Sequence, residues 1–151
     1  MLHFHIGRPS PPARPGGAAD DLPADLLAAP VLIVEDEAMI AWTMESLLDD
    51  MGFARIAIAA SGEAALVQSA AVAPRLIVSD INLGPACMDG VAATVAMLAR
   101  AAASVVFVTG HASGEARARI DREVPGAVVL AKPVSPDELR RAIRQAIMAA
   151  H

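Results

Sequence analysis

The chain has no tyrosine, three phenylalanines, one tryptophan and a single cysteine, Cys87. A lone cysteine excludes an internal disulfide and fits a reducing cytoplasm. No apolar run approaches the roughly 18 residues that a bilayer-spanning helix needs, so no membrane segment is expected. Basic residues are also in the minority. Twelve Lys and Arg stand against 17 Asp and Glu, for a net charge of −5, and nucleic-acid-binding domains are usually basic. There is no internal repeat, and the start of the chain lacks the apolar block and small-residue cleavage site of a signal peptide. At 151 residues, 55% of them hydrophobic, the chain has material for one domain with a single core and an extension.

Residues 1 to 29 differ in composition from the rest of the chain. Pro9, Pro11, Pro12, Pro15 and Pro23, with Gly16 and Gly17, do not support a helix interior or a central strand. The expectation is a flexible arm over 1 to 29 and a folded domain over 30 to 151. His3 and His5 share one face of an extended segment, but two ligands do not close a metal coordination sphere.

Within the domain, Arg75-Leu76-Ile77-Val78-Ser79-Asp80 reads as a buried parallel strand, where both faces are covered and alternation is not needed. It runs into a carboxylate. Such an aspartate can simply cap the next turn, yet in open α/β sheets the carboxyl ends of strands line the ligand crevice. The other strands decide between these readings. Val31-Leu32-Ile33-Val34 ends in Glu35-Asp36-Glu37, an acidic cluster whose self-repulsion calls for a cation. Oxygen donors of this kind suit Mg²⁺. Val105-Val106-Phe107-Val108 ends in Thr109-Gly110, and Val128-Val129-Leu130-Ala131 ends in Lys132-Pro133. Residues 54 to 59 form a further strand that carries no chemistry.

Helices fill the gaps. Ile40, Met44, Leu47, Leu48 and Met51 make a core stripe that stops at Gly52, with Trp42 off the stripe and half exposed, packing locally or helping a partner dock. Ser61 caps a helix to about residue 71. Asp89-Gly90 heads another, after a loop in which Cys87 reads as a bystander thiol. The segment 112 to 123 is the weakest helix, with Ile120 its only large apolar residue, and is expected to be mobile. Ser135 and Glu138 form a capping box with Pro136 at the first helical position, ahead of Leu139, Ile143 and Ile147.

Strands alternating with helices between residues 30 and 149 give a doubly wound parallel sheet. Its strand ends assemble a cation site (Glu35, Asp36), a nucleophile (Asp80), a hydroxyl donor (Thr109) and a fixed positive charge (Lys132), the set needed to receive a phosphoryl group.

These pieces, together with Met88-Asp89-Gly90, stand in an order and spacing that resembles the receiver domain of bacterial two-component response regulators. The resemblance implies a flavodoxin-like (βα)5 fold with strand order 2-1-3-4-5. It implies Asp80 as the residue phosphorylated by a sensor histidine kinase or phosphotransfer protein, in a domain that promotes its own phosphorylation and dephosphorylation. Asp36 and Asp80 would ligate Mg²⁺, with the backbone carbonyl of Asn82 as a third protein ligand and Glu35 acting through water. Thr109 and Lys132 would bind phosphoryl oxygens, and the Lys132-Pro133 bond would be cis.

Two features depart from the common pattern. The family usually has an aromatic switch residue three positions before the lysine, where this chain has Val129, and the loop from Asp80 to Gly90 is longer than usual. Phe107-Val108-Thr109-Gly110-His111 resembles the signature of a subgroup of stand-alone receivers with a poorly formed fourth helix. No DNA-binding or enzymatic domain is expected after the last helix, which ends by His151. The expected role is thus a single-domain receiver that acts by contact with a downstream protein, or as a phosphoryl shuttle or sink. Its mixed-charge surface over 112 to 123, 127 to 131 and 136 to 149 suits a partner or a symmetric dimer. A degenerate receiver that only binds partners is the alternative. A haloacid-dehalogenase-type phosphatase wants a second Asp where Ala38 stands, and no P-loop is present.

Overall fold

The structure is a computed structural model that describes residues 4–6, 22–85 and 88–149. Five parallel strands form the body of the sheet: β2 (Pro30–Val34), β3 (Arg55–Ala59), β4 (Leu76–Ser79), β5 (Ser104–Thr109) and β6 (Val128–Ala131). The spatial order is β3-β2-β4-β5-β6, which is the expected 2-1-3-4-5 when these five are numbered alone. A short strand, β1 (Phe4–Ile6), adds antiparallel to the outer edge of β3, pairing Phe4 with Ala57 and Ile6 with Arg55.

The central strand shows why an apolar run without alternation works. Val31 and Ile33 enter one core layer, with Met44 and Leu48 of α2 (Ala38–Asp50) and Leu139 and Ile143 of α6 (Pro136–Ala149). Leu32 and Val34 enter the other, with Ala65 of α3 (Gly62–Val72), Ala93 and Met97 of α4 (Gly90–Leu98) and Ile120 of α5 (Gly114–Glu123). Helices cover both faces, so every residue of β2 is buried and none needs to be polar.

Local signals set the helix ends. Ser61 Oγ accepts from the Ala64 N–H at 3.0 Å and Ser113 Oγ from the Ala116 N–H at 3.0 Å. Ser135 Oγ accepts from the Glu138 N–H at 3.2 Å and donates its hydroxyl to Glu138 Oε1 at 3.1 Å, a side-chain variant of the expected box. Gly52 takes φ +105° after α2, a left-handed conformation that glycine adopts without penalty. Phe53 behind it is fully buried, a core position that no periodicity announced. Trp42 is 61% exposed.

The N-terminal segment differs from the flexible arm expected over 1 to 29. Leu22 and Leu26 belong to the core, and a helical turn, α1 (Ala24–Ala28), packs beneath the sheet. The Leu27 carbonyl accepts from the Ala54 N–H at 3.1 Å. The reason is that Leu22, just before Pro23, and Leu26, in the turn after it, join a core layer whose other members come from the rest of the fold. The packed body therefore begins before residue 30. His3 and Cys87 lie outside the described residues.

This packing predicts that Leu26→Ala lowers stability by at least about 2 kcal/mol in urea unfolding, the usual cost of emptying a buried leucine site. A change below a few tenths of that would return residues 22 to 29 to the status of a loose arm.

Candidate functional site

The sheet register carries three site residues one step beyond their strands. The Glu35 N–H donates to the Ala59 carbonyl at 3.0 Å, that of Asp80 to Val34 at 2.9 Å, and that of Lys132 to Thr109 at 2.9 Å. Each is thus held by backbone bonds to a neighbouring strand end. Their side chains then meet above the sheet. Lys132 Nζ donates to Glu35 Oε1 at 2.8 Å and to Asp80 Oδ2 at 2.9 Å. The second Asp80 oxygen, Oδ1, accepts from the Asn82 backbone N–H at 3.3 Å. Lys132-Pro133 is a cis peptide.

Burial differs among the acids. Glu35 is 4% exposed and Asp36 open to solvent, and the side chain of Asp80 is 11% exposed. Glu35, Asp36 and Asp80 each offer a carboxylate oxygen within 4.8 Å of the others. Glu35 Oε2 is buried without a hydrogen-bond partner. A buried, unsatisfied carboxylate oxygen beside two more carboxylates is costly. One ammonium offsets three acids, so two negative charges are left over when all are ionised. The donor set is all oxygen, which fits a hard divalent cation.

Electrostatics reflect this crowding. Burial pushes the Glu35 carboxyl up; the bond from Lys132 pulls it down, while the hydrogen bond and charge of Asp80 push it further, and the result is about 7. Burial works against the Lys132 ammonium, but its bonds to Glu35 and Asp80 outweigh that and raise its pKa above the ordinary lysine value. The enclosed space among Ile40, Met44, Glu35, Asp80 and Lys132 is only about 10 Å³, so the site is a shallow surface cup and not an organic-substrate pocket. Larger clefts of about 300 and 380 Å³ lie by Pro74 and Ala101 and by Pro23 and Arg75, at the opposite ends of the strands.

Of the residues expected at the site, Glu35, Asp36, Asp80 and Lys132 come together, and Asn82 joins through its backbone. Thr109 is buried at the end of β5 with its hydroxyl donating to the His111 carbonyl at 3.3 Å. Val129 is half-buried against the layer that holds Ile120 and Phe107. The segment expected to be mobile forms α5, beginning at Gly114 behind the Ser113 cap.

Sequence reasoning missed how the loop after Asp80 is held. Gly90 packs so tightly that a Cβ there would run into the Asp80 carbonyl oxygen, so glycine is required. Arg119 of α5 forms a forked ion pair with Asp89. Asp89 before a helix was a visible cap signal, whereas a partner 30 residues away left no trace in local spacing.

A doubly wound sheet with an acidic cluster and a lysine at its carboxyl edge is the arrangement that the resemblance to receiver domains implies. Residues 31–144 match the family model described as response regulator receiver domain, and the chain belongs to that family. It is 33% identical over 131 residues to the phyllosphere-induced regulator PhyR of Methylorubrum extorquens, a match that covers 86% of this chain and 47% of the relative. This chain thus spans about half the length of that relative. Among solved structures, the signal receiver domain of a modulated diguanylate cyclase from Desulfovibrio desulfuricans G20 superposes with a TM-score of 0.71 at 31% identity, covering 82% of this chain and 96% of that one. The anti-anti-sigma factor PhyR from Bartonella quintana gives a TM-score of 0.63 at 27% identity, covering 80% and 48%. No helix among the described residues is long and apolar enough to cross a membrane.

The raised Glu35 pKa sets a pH dependence. Between its ordinary 4.5 and about 7 the native protein holds a proton that the unfolded chain has lost, so this group makes stability fall as pH rises through that window. With a chelator present, Glu35→Gln is expected to flatten that fall in urea titrations run across the same range. An unchanged slope would assign the buried proton elsewhere.

Proposed function

We propose that this receiver accepts a phosphoryl group on Asp80 from the phosphohistidine of a sensor histidine kinase or a phosphotransfer protein. In the cytoplasm, the phosphorylated form then acts by contact with a downstream protein, or passes the phosphoryl group on as a shuttle or sink. One observation carries this reading: the Asp80 carboxylate stands at a strand end, oriented through one oxygen by Lys132 at 2.9 Å and through the other by the Asn82 N–H at 3.3 Å. A nucleophile fixed in this way is ready for in-line attack.

In that reaction an Asp80 oxygen bonds to phosphorus as the bond from phosphorus to the donor's histidine nitrogen breaks, and the nitrogen keeps the electron pair. Lys132 moves its ammonium from a carboxylate oxygen to a phosphoryl oxygen, where its charge is worth more in the transition state. The Thr109 hydroxyl leaves the His111 carbonyl for another phosphoryl oxygen. Asp36 and Asp80, with the Asn82 carbonyl and with Glu35 through water, would hold Mg²⁺. When bound, that ion supplies the positive charge that offsets the acidic cluster and the incoming phosphoryl oxygens. The same residues would position a water that attacks phosphorus, breaking its bond to the Asp80 oxygen and releasing inorganic phosphate, so that the domain promotes both gain and loss of its phosphoryl group.

The likeness to the PhyR proteins, one of them named an anti-anti-sigma factor, is confined to about half of each. It supports an output by protein contact. The face built by α5, β6 and α6 is where we place that output or a symmetric dimer, because β6 is an edge strand flanked by charged helices.

Intact-mass measurement after incubation with Mg²⁺ and acetyl phosphate tests the assignment. The wild-type chain should gain one phosphoryl adduct, and Asp80→Asn should gain none while keeping its fold, since an amide preserves shape but is no nucleophile. Labelling of the Asn variant to the wild-type extent would overturn Asp80; absence of labelling in both would favour a receiver that only binds partners.

Calorimetry addresses the ion separately. Asp36→Ala should abolish weak Mg²⁺ binding, because the site has few protein ligands to lose. An affinity equal to that of the wild type would remove Asp36 from the ligand set.

A further inference from the structure

The loop that leaves Asp80 is gripped from two sides. Glu63, in the first turn of α3, accepts from the Met88 N–H at 3.0 Å, and a Cβ on neighbouring Gly62 would meet the Met88 carbonyl oxygen at 2.8 Å. From the opposite side Arg119 donates through Nη1 to Asp89 Oδ2 at 2.6 Å and through Nη2 to Asp89 Oδ1 at 3.3 Å, while its Nε donates to Glu123 Oε2 at 2.7 Å. All three guanidinium nitrogens are engaged, which fixes the fork in one orientation. Asp89 is fixed as well, since its Oδ1 accepts from the Ala92 N–H at 2.7 Å and caps α4. The next residue, Gly90, lies against the Asp80 carbonyl and donates its N–H to the Ile81 carbonyl at 2.8 Å.

A continuous path thus runs from the Asp80 backbone through Gly90 and Asp89 to Arg119 on α5. It has no slack at its tightest point, because even a methyl group does not fit between residues 80 and 90. Apart from this path, α5 has a thin attachment. Ile120 is its one buried residue, and Val129 in the adjacent strand is aliphatic, so no aromatic ring stands there to change rotamer.

We propose that the Asp89–Arg119 ion pair is a positioning link that passes a change at Asp80 to α5 through the loop backbone. The proposal rests on Asp80 being the phosphoacceptor. A phosphoryl group on Asp80 redistributes the bonds that Lys132 and the Asn82 N–H make to its carboxylate, and through the Asn82 N–H it shifts the loop backbone that leads to Gly90. Gly90 must follow that shift, and the Asp89 fork carries it to α5. The side chains of the pair are 34% and 37% exposed, so its contribution to global stability is small. Its role is directional.

Hydrogen exchange on the full chain, with Mg²⁺ and with or without beryllofluoride, tests the link, together with intact mass after acetyl phosphate treatment. Arg119→Met keeps the apolar stem, and Asp89→Asn keeps a good helix cap while removing the charge. In the wild type, beryllofluoride should change exchange across residues 113 to 123. In both variants that change should drop to background while the adduct at Asp80 still forms, and Arg119→Lys should recover part of it as a point charge without the fork. An α5 response equal in wild type and both variants, or absent from a wild type that carries the adduct, overturns the link and leaves the phosphoacceptor reading in place. Faster exchange throughout the sheet in both variants makes the pair mere scaffold and also overturns it. A wild-type chain that takes no adduct removes the phosphoacceptor reading itself.

Discussion

The Lys132 ammonium between Glu35 and Asp80 is the contact on which the rest of the site depends. Three carboxylates gathered at one edge of a sheet repel one another, and two of them are largely removed from water. Taking any such charge out of solvent is expensive unless a partner of opposite sign is close and well aligned. Lys132 supplies that partner at 2.8 and 2.9 Å, but it is one charge against three. Burial, aided by the neighbouring Asp80, pushes the Glu35 carboxyl up despite the bond from Lys132, and one Glu35 oxygen is left with no protein partner. An all-oxygen site with too little positive charge suits a hard cation.

The fold serves that imbalance by rigid placement. Backbone bonds from Glu35, Asp80 and Lys132 each land on the end of a neighbouring strand, so the side chains leave the sheet from positions that packing in both core layers keeps fixed. Preorganisation of this kind lets fixed charges act without reorganising at the moment of reaction. Beyond the site, Gly90 presses on the Asp80 carbonyl and Asp89 is forked to Arg119, so the tightly packed loop after Asp80 is joined directly to α5, a helix with one buried residue, Ile120. Joining a rigid site to a weakly attached element is a physical requirement for a switch.

Much of this was legible in the sequence because its signals were local. Unbroken apolar runs that end in Asp80, in Glu35-Asp36 and in Lys132 locate strands and chemistry together, and parallel order is dictated by the helices between them. Ser61, Ser135 and Gly52 mark helix ends by mechanisms that need only neighbouring residues. What could not be read depends on distance along the chain. Leu22 and Leu26 looked like part of a proline-rich arm because their core partners come from the rest of the fold. Phe53 is buried without any periodic neighbour. Arg119 is one more charge on the mixed-charge surface of residues 112 to 123, and only the folded structure brings it to Asp89. The hydroxyl of Thr109, read as a phosphoryl ligand, faces the His111 carbonyl, a choice of rotamer that no residue pattern encodes.

In the proposed reaction the acyl phosphate forms on Asp80 and not on its acidic neighbours Glu35 and Asp36. Borohydride reduction of the phosphorylated chain and then peptide mass mapping tests this most directly, because an aspartyl phosphate is reduced to homoserine whereas a free carboxylate is untouched. Homoserine is expected at position 80 and unmodified aspartate at position 36. Homoserine at position 36, or a phosphorylated chain that yields no homoserine at position 80, would contradict it.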